Sequence, residues 1–426
     1  MAGGGKGYKW VFKARFRKGA FGWRSRPAIG RIREAVSEIK KAARKDKILG
    51  AEGAVLFLER LSPSLERVDS SSGAIGSAVD RALGALVPII GKAPAESSVR
   101  RDWLERLWKA YLEDDIPYLE GLADFWGELC GTAETAGEWA DRFLPAVRRA
   151  WNEEPKGWRY CKEAVCCLSC LYTAGRYKEI LELLELNASK SWWLHKYGVK
   201  ALAALGRKAE AIRYAESLKV TALDEADRDR ACEEILLSSG FVEEAYRRYG
   251  LEAARSSTYL GWFRAVARRY PEKDPEVILG DLAALTPGDE GKWFAAAKSA
   301  GLYDLALRFA RRSPCDPRTL ARAARDFRET EPDFAMEAGI LALLWFEEGL
   351  GFEVEGKDIR DAFQFTLEAA RRAGREEEAP QRIRSLLEAA GAGGLAGRVL
   401  GRARGLLLEK RRRDSREGPG APPGRR

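Results

Sequence analysis

Seven cysteines give the sequence its first candidate chemistry, since thiolates bind metals, attack electrophiles and pair into disulfides. Four of them, Cys161, Cys166, Cys167 and Cys170, crowd one short segment, and Cys167-Leu-Ser-Cys170 is a CxxC pair. A structural zinc site needs four well-spaced ligands, and the sequence has no second CxxC. On a helix, Cys166, Cys167 and Cys170 share one face while Cys161 points away, which is poor geometry for a tetrahedral site. The segment therefore reads as buried small apolar side chains with reduced thiols, with redox sensing as the alternative. His195 is the only histidine, so a His-dependent triad or multi-histidine metal site within one protomer is excluded. It follows Trp192, Trp193 and Leu194 and reads as a packed or half-exposed structural residue. The Trp pair, together with Tyr197, is a candidate protein-binding patch, because Trp is enriched in interface hot spots. None of these residues calls for a metal or a cofactor.

The N-terminal segment is the sharpest functional candidate. Lys9, Lys13, Arg15, Arg17, Lys18, Arg24 and Arg26 interleave with Trp10, Phe12, Phe16, Phe21 and Trp23. Cations that can meet phosphates thus lie beside rings that can stack on bases. The competing reading is a docking arm, whose rings plug the apolar groove of the first helical hairpin while its cations meet an acidic body. Gly3-Gly-Gly-Lys-Gly has neither the preceding strand nor the spacing of a phosphate loop. The run Lys410-Arg411-Arg412-Arg413 reads as a solvated helix end, with a nucleic-acid tail as the minority alternative.

Scarce polar amides argue against an enzyme. Asn occurs only at 152 and 187 and Gln only at 364 and 381, so groups that usually orient polar ligands are few. A helical barrel acting on glycans through paired carboxylates is the remote enzymatic alternative. Acidic pairs such as Asp114 and Asp115 read as solvated helix ends.

These residues must be positioned by helices. At 426 residues, with 46% hydrophobic and 32% charged side chains, the chain has enough apolar material for a core and enough charge to keep amphipathic helices soluble. The longest nearly uncharged apolar stretch, Ala82 to Gly91, is half of the ~20 residues a membrane span needs. The first 26 residues have no apolar run typical of a secretory signal, so no membrane partner is expected and a cytoplasmic location is. Residues 1–48 carry fifteen Lys/Arg against three acids and residues 401–426 nine against three, so of the total of +9 the two ends hold +12 and +6 and the middle −9. Helical periodicity predicts helices over Pro27 to Lys45, Ala51 to Leu61, Gly73 to Ile90, Ser97 to Glu113, Ile116 to Cys130, Ala133 to Asn152 and Trp158 to Ala174. No sustained alternation argues for a sheet. Four segments follow: a basic aromatic arm over 1–26, an N-terminal helical region over 27–157, helical repeats over 158–400, and a basic tail over 401–426. Met1 to Gly7 and Arg411 to Arg426 are expected to be mobile in isolation.

The repeat signal is a glycine followed by fixed offsets. After Gly175 come Tyr177, Ile180, Leu181 and Leu184; after Gly206 come Lys208, Ala211, Ile212 and Ala215. Gly240 and Gly301 are followed in the same way by Val242, Ala245, Tyr246 and Tyr249, and by Tyr303, Ala306, Leu307 and Ala310. Glycine can end one helix in the left-handed conformation, and offsets +2, +5, +6 and +9 then share one face of the next helix. The glycine spacings are 31, 34 and 61 residues, the last near two periods, with a further hairpin expected between Tyr259 and Leu285 and its turn at Pro271 to Asp274. Gly175-Arg-Tyr-Lys-Glu-Ile-Leu and Gly301-Leu-Tyr-Asp-Leu-Ala-Leu resemble the junction between the two helices of a tetratricopeptide repeat, across about residues 158–388. The chain is also similar to a widespread class of bacterial helical-repeat proteins, which implies no activity. The resemblance implies an all-α fold of stacked antiparallel hairpins in a tetratricopeptide-like superhelical solenoid. The expected function is a non-enzymatic scaffold or adaptor that holds a protein partner, and the alternative is a protein that binds the phosphate backbone of nucleic acid through its basic termini.

Overall fold

Asp46 stops one helix and starts the next. It follows Ser25–Lys45 and caps Lys47–Ser64, its carboxylate accepting the Ile48 and Leu49 N–H groups at 2.9 and 3.0 Å. Asp274 and Asp316 do the same for Pro275–Ala284 and Pro317–Phe327, each with proline at the first helical position, where its missing N–H costs nothing. The computed structural model describes residues 8–152, 161–222, 224–389 and 394–401. Among them every regular element is helical and no strand occurs. The chain divides into two compact units, Met1–Ala245 and Tyr246–Arg426. Their boundary falls inside the segment that the periodicity treats as one array, where the Val242–Ala245 helix runs into a π turn at Tyr246–Gly250.

The first unit opens with four long helices, Ser25–Lys45, Lys47–Ser64, Ala74–Gly91 and Ser97–Leu112. They share a continuous apolar core that begins at Trp10 and extends through Leu194, Tyr197 and Ala201. Ala74–Gly91 is, by length and composition, the one helix among the described residues apolar enough to cross a membrane. Its Ile75, Val79, Leu83, Leu86 and Ile90 are buried in protein, while Ser77, Asp80 and Arg81 are exposed. A single buried cation locks this unit: Arg100 donates to the carbonyls of Ile90 at 2.8 Å, Leu129 at 3.1 Å and Ala93 at 2.5 Å. Those carbonyls lie at or just past the C-termini of Ala74–Gly91 and Trp126–Cys130, where helices leave acceptors unpaired. Burial holds the guanidinium below its usual pKa.

The expected helix from Ile116 to Cys130 is not continuous. A 3-10 turn at Glu120–Phe125 leads into a short helix at Trp126–Cys130. Asp114, expected at a solvated helix end, is instead buried; it accepts the Leu119 N–H at 2.6 Å and a hydrogen bond from the Ser62 hydroxyl. The chain folds around that carboxylate, and Pro117 has no N–H with which to propagate a helix across it. Burial raises the Asp114 pKa.

From Glu163 onward the helices come in pairs: Glu163–Thr173 with Tyr177–Glu185, and Trp192–Ala204 with Lys208–Ser217. In the second unit Tyr259–Arg269 pairs with Pro275–Ala284, with a turn at 271–274, and Phe294–Ser299 with Tyr303–Arg312. Pro317–Phe327 pairs with Pro332–Glu347, and Gly356–Arg372 with Glu378–Ala389. The start of the expected Trp158 to Ala174 helix lies partly outside the described residues. Gly175, Gly206, Gly240 and Gly301 all adopt φ between 73 and 81°. At each, the next residue's N–H reaches back to close the turn, as Arg207 does to Leu202 O at 2.9 Å. The side chains five residues on, Ile180, Ala211 and Ala306 among them, are fully buried. Gly374 was not part of the sequence pattern, yet it closes the same turn at φ 69°, with Arg375 N–H on Ala370 O at 2.8 Å and Ala379 buried at +5.

A Cβ added at Gly206 or Gly84 would meet no neighbouring element within 4 Å, so replacing them separates backbone conformation from packing. Gly206→Ala forces a side chain into the left-handed region and should cost about 1–2 kcal/mol. Gly84→Ala, inside Ala74–Gly91, should gain about 1 kcal/mol. Urea unfolding of the two variants against the parent chain measures both, and a loss for Gly84→Ala would contradict the helix assigned there.

Candidate functional site

The arm folds onto the first two helices. Glu38 draws it in: its two carboxylate oxygens accept the N–H groups of Val11 at 2.8 Å and Phe12 at 3.2 Å, which open the short Val11–Arg15 helix. The rings of Trp10, Phe12 and Phe16 are then buried, with Phe12 and Phe16 centred 5.5 and 4.9 Å from Phe57. Trp10 lies against Gly53 so closely that a Cβ there would sit 2.2 Å from the ring. Further along, Gly19 N–H donates to Pro63 O, and the Trp23 carbonyl accepts Asp69 N–H, both at 2.9 Å. Arg15 pairs with Glu34 at 2.5 Å, and Arg31 bonds the same carboxylate at 2.6 Å; Arg31 first and then Arg15 hold Glu34 below the usual carboxylate range. Lys9, Lys13, Arg17, Lys18, Arg24 and Arg26 are exposed, with no ion pair among the described residues. Of the other rings in the arm, Phe21 is half-buried, Tyr8 is exposed beside Trp10, and Trp23 is the most open, at 72% exposure.

Tying up Glu34 and Glu38 has a consequence for the rest of the same helix. A groove of about 410 Å³ runs between Ser25–Lys45 and Ala74–Gly91. Its floor is Ile32, Val36, Ala78, Ala82 and Ala85, and its rim is Arg33, Lys40, Lys41, Arg44 and Arg81, with Ser37 as the remaining lining residue. No acidic side chain lines it. All five cations are exposed, and none has an ion-pair partner among the described residues. Arg26, Arg33, Lys40 and Arg44 follow one another at steps of seven, seven and four residues, which keeps them on one face. That spacing is legible in the sequence, although the arm's aromatics are its more conspicuous signal.

The Trp192, Trp193 and Tyr197 patch is differently placed. Trp192 and Tyr197 are buried, 5% and 2% exposed, and Tyr197 donates to Asp124 Oδ1 at 3.0 Å, so they form inner packing rather than a surface. The apolar sides of Trp192–Ala204 bury against neighbouring helices, which takes most of this aromatic area from water. Trp193 is half-buried and lines a cleft of about 320 Å³ with Asp80, Tyr118, Glu120 and Asp124. Lys196 pairs with Asp124 at 2.6 Å. His195 is buried, its Nδ1 bonded to the Tyr214 hydroxyl and its Nε2 facing Ser189 O at 3.1 Å, and burial lowers its pKa.

All seven cysteines are buried free thiols. Cys161 lies before the Glu163–Thr173 helix, 3.3 Å from Glu163 Oε2, while Cys166, Cys167 and Cys170 sit inside it. Burial pushes the Cys161 thiol up to about 12 and holds Cys166, Cys167 and Cys170 well above the usual thiol range. Residues Met1 to Gly7 and the Lys410–Arg413 run lie outside the described residues.

No protein-family model matches this chain, and no curated protein or solved structure does.

A thiol whose pKa rises on folding binds its proton more tightly in the native state. The stabilisation from Cys161 is therefore full below its ordinary value of 9.0 and is lost as pH climbs through about 12. Alkylation of the native chain at mildly alkaline pH should be slow at every cysteine and become complete on unfolding. Fast native labelling of Cys161 or Cys170 would refute the burial described.

Proposed function

We propose that this protein is a non-enzymatic interaction scaffold of the cytoplasm. Its hairpins stack as a tetratricopeptide-like superhelical array, and its N-terminal helices carry the docking surface for a protein partner. The observation that supports this reading is the groove between Ser25–Lys45 and Ala74–Gly91, where five exposed cations stand around an apolar floor without an acid among the lining residues. Like charges gathered without counter-charge repel one another, and an oppositely charged partner relieves that repulsion. Capture of the tagged full-length chain, with nuclease added, should retain one protein at near-equal stoichiometry. The Arg33→Glu and Lys40→Glu double variant should lose it. Recovery of nothing stoichiometric with the parent chain would sink the scaffold reading.

A second reading, binding of single-stranded nucleic acid, rests on Trp23. This exposed ring has Arg24 and Arg26 after it and Arg17 and Lys18 before it, and no ion pair holds any of the four among the described residues. If it is right, Trp23→Ala should weaken oligonucleotide binding by about 1–3 kcal/mol, and affinity should fall steeply with salt. Binding unchanged in Trp23→Ala would remove it.

A further inference from the structure

We infer that the basic groove accepts an acidic amphipathic helix from a partner protein, with apolar side chains on the floor and carboxylates against the rim. The inference rests on the scaffold reading and names the chemistry of its partner.

Three features of the groove select this occupant. The first is charge. Arg33, Lys40, Lys41 and Arg44 line one side, Arg81 the other, and no carboxylate competes for them among the lining residues. Glu34 and Glu38, the acids of the same helix, do not line the groove and are occupied by Arg15, Arg31 and the arm's backbone. The second is the floor. Ala78, Ala82 and Ala85 are small, and Ala85 is half-buried at the surface of the floor, so an incoming helix can approach Ala74–Gly91 closely. Packed helices sit about 8–10 Å apart, and small contact residues favour the short end of that range. The third is length. From Arg33 to Arg44 the rim covers about 16 Å at the helical rise, the span of about three turns of a partner helix.

The same features disfavour nucleic acid at this place. No aromatic ring lines the groove, so bases have nothing to stack on, and Ser37 is its only uncharged hydrogen-bonding side chain. The apolar floor contributes nothing to a phosphate backbone but suits Leu, Ile or Val side chains at i, i+3, i+4 and i+7.

The test is fluorescence anisotropy with the full-length chain and a labelled fourteen-residue helical peptide, with Leu at i, i+3, i+4 and i+7 spacing and Glu elsewhere. Comparison probes are the same composition scrambled so that the Leu residues share no face, a version with Lys for Glu, and single- and double-stranded oligonucleotides. The acidic amphipathic peptide should bind, the scrambled one at least tenfold more weakly, and the Lys version not at all. Arg33→Ser, Lys40→Ser and Arg44→Ser combined should weaken binding tenfold or more. Ala85→Glu, which keeps every cation but charges the floor, should do the same. All four positions are exposed or half-buried, and circular dichroism of each variant checks that the helices persist. Equal binding of the scrambled peptide, tighter binding of an oligonucleotide, or unchanged affinity in the two variants would overturn the inference. A captured protein partner that survives both variants would overturn it too while leaving the scaffold standing; no captured partner would remove both.

Discussion

Glu38 decides what the N-terminal helices can present. Its carboxylate holds the first two N–H groups of the Val11–Arg15 helix, a place where a negative charge meets both unpaired donors and the positive end of the backbone dipoles. Once the arm is seated, Trp10, Phe12 and Phe16 are withdrawn into the core around Phe57. The same act uses up the acidic side of Ser25–Lys45. The helix is thus sorted into a face that fixes its own chain and a face with uncompensated positive charge. The arm's aromatic residues divide: three rings are interior, and Trp23 stands in solvent among cations.

A second constraint keeps the groove's other wall in place. Ala74–Gly91 ends in carbonyls that would be buried without donors were it not for Arg100, which also reaches Leu129 and so joins this helix to Trp126–Cys130. Gly131 follows that short helix at φ 75°, and a Cβ there would come within 2.8 Å of the guanidinium carbon. A buried cation without a carboxylate partner is costly to desolvate, and three carbonyls at helix ends are what compensate it here. The wall bearing Arg81 is therefore anchored at its far end by packing and hydrogen bonds that no surface substitution in the groove disturbs.

Much of the helical order was legible because its signals are local. Glycines at 175, 206, 240 and 301 marked the turns, and the small or β-branched residue at +5 marked the buried face. Gly374 carries the same signal with Ala379 and Ile383 buried after it, and Glu at +2 in place of a bulky side chain concealed it. Sequence reasoning failed where tertiary contacts override local preference. Nothing near Asp114 announces that Ser62, fifty-two positions earlier, will meet it and bend the following segment. Trp192 and Tyr197 looked like a sticky surface because periodicity cannot tell an apolar helix face that meets solvent from one that meets another helix. The groove needed two helices separated by 28 residues, so only its cation spacing on Ser25–Lys45 could have been seen beforehand.

The left-handed glycines also set the grain at which such a chain can change. Inserting one residue in the middle of a helix turns every later side chain by ~100° and would present polar atoms to the core. Excising the stretch from one closing glycine to the next instead returns the following helix with its buried face still inward, because each turn is closed by its own backbone. Variation in the length of this protein should therefore come in whole hairpins, so that gene duplication and deletion, rather than residue-by-residue drift, are the natural editors of its size.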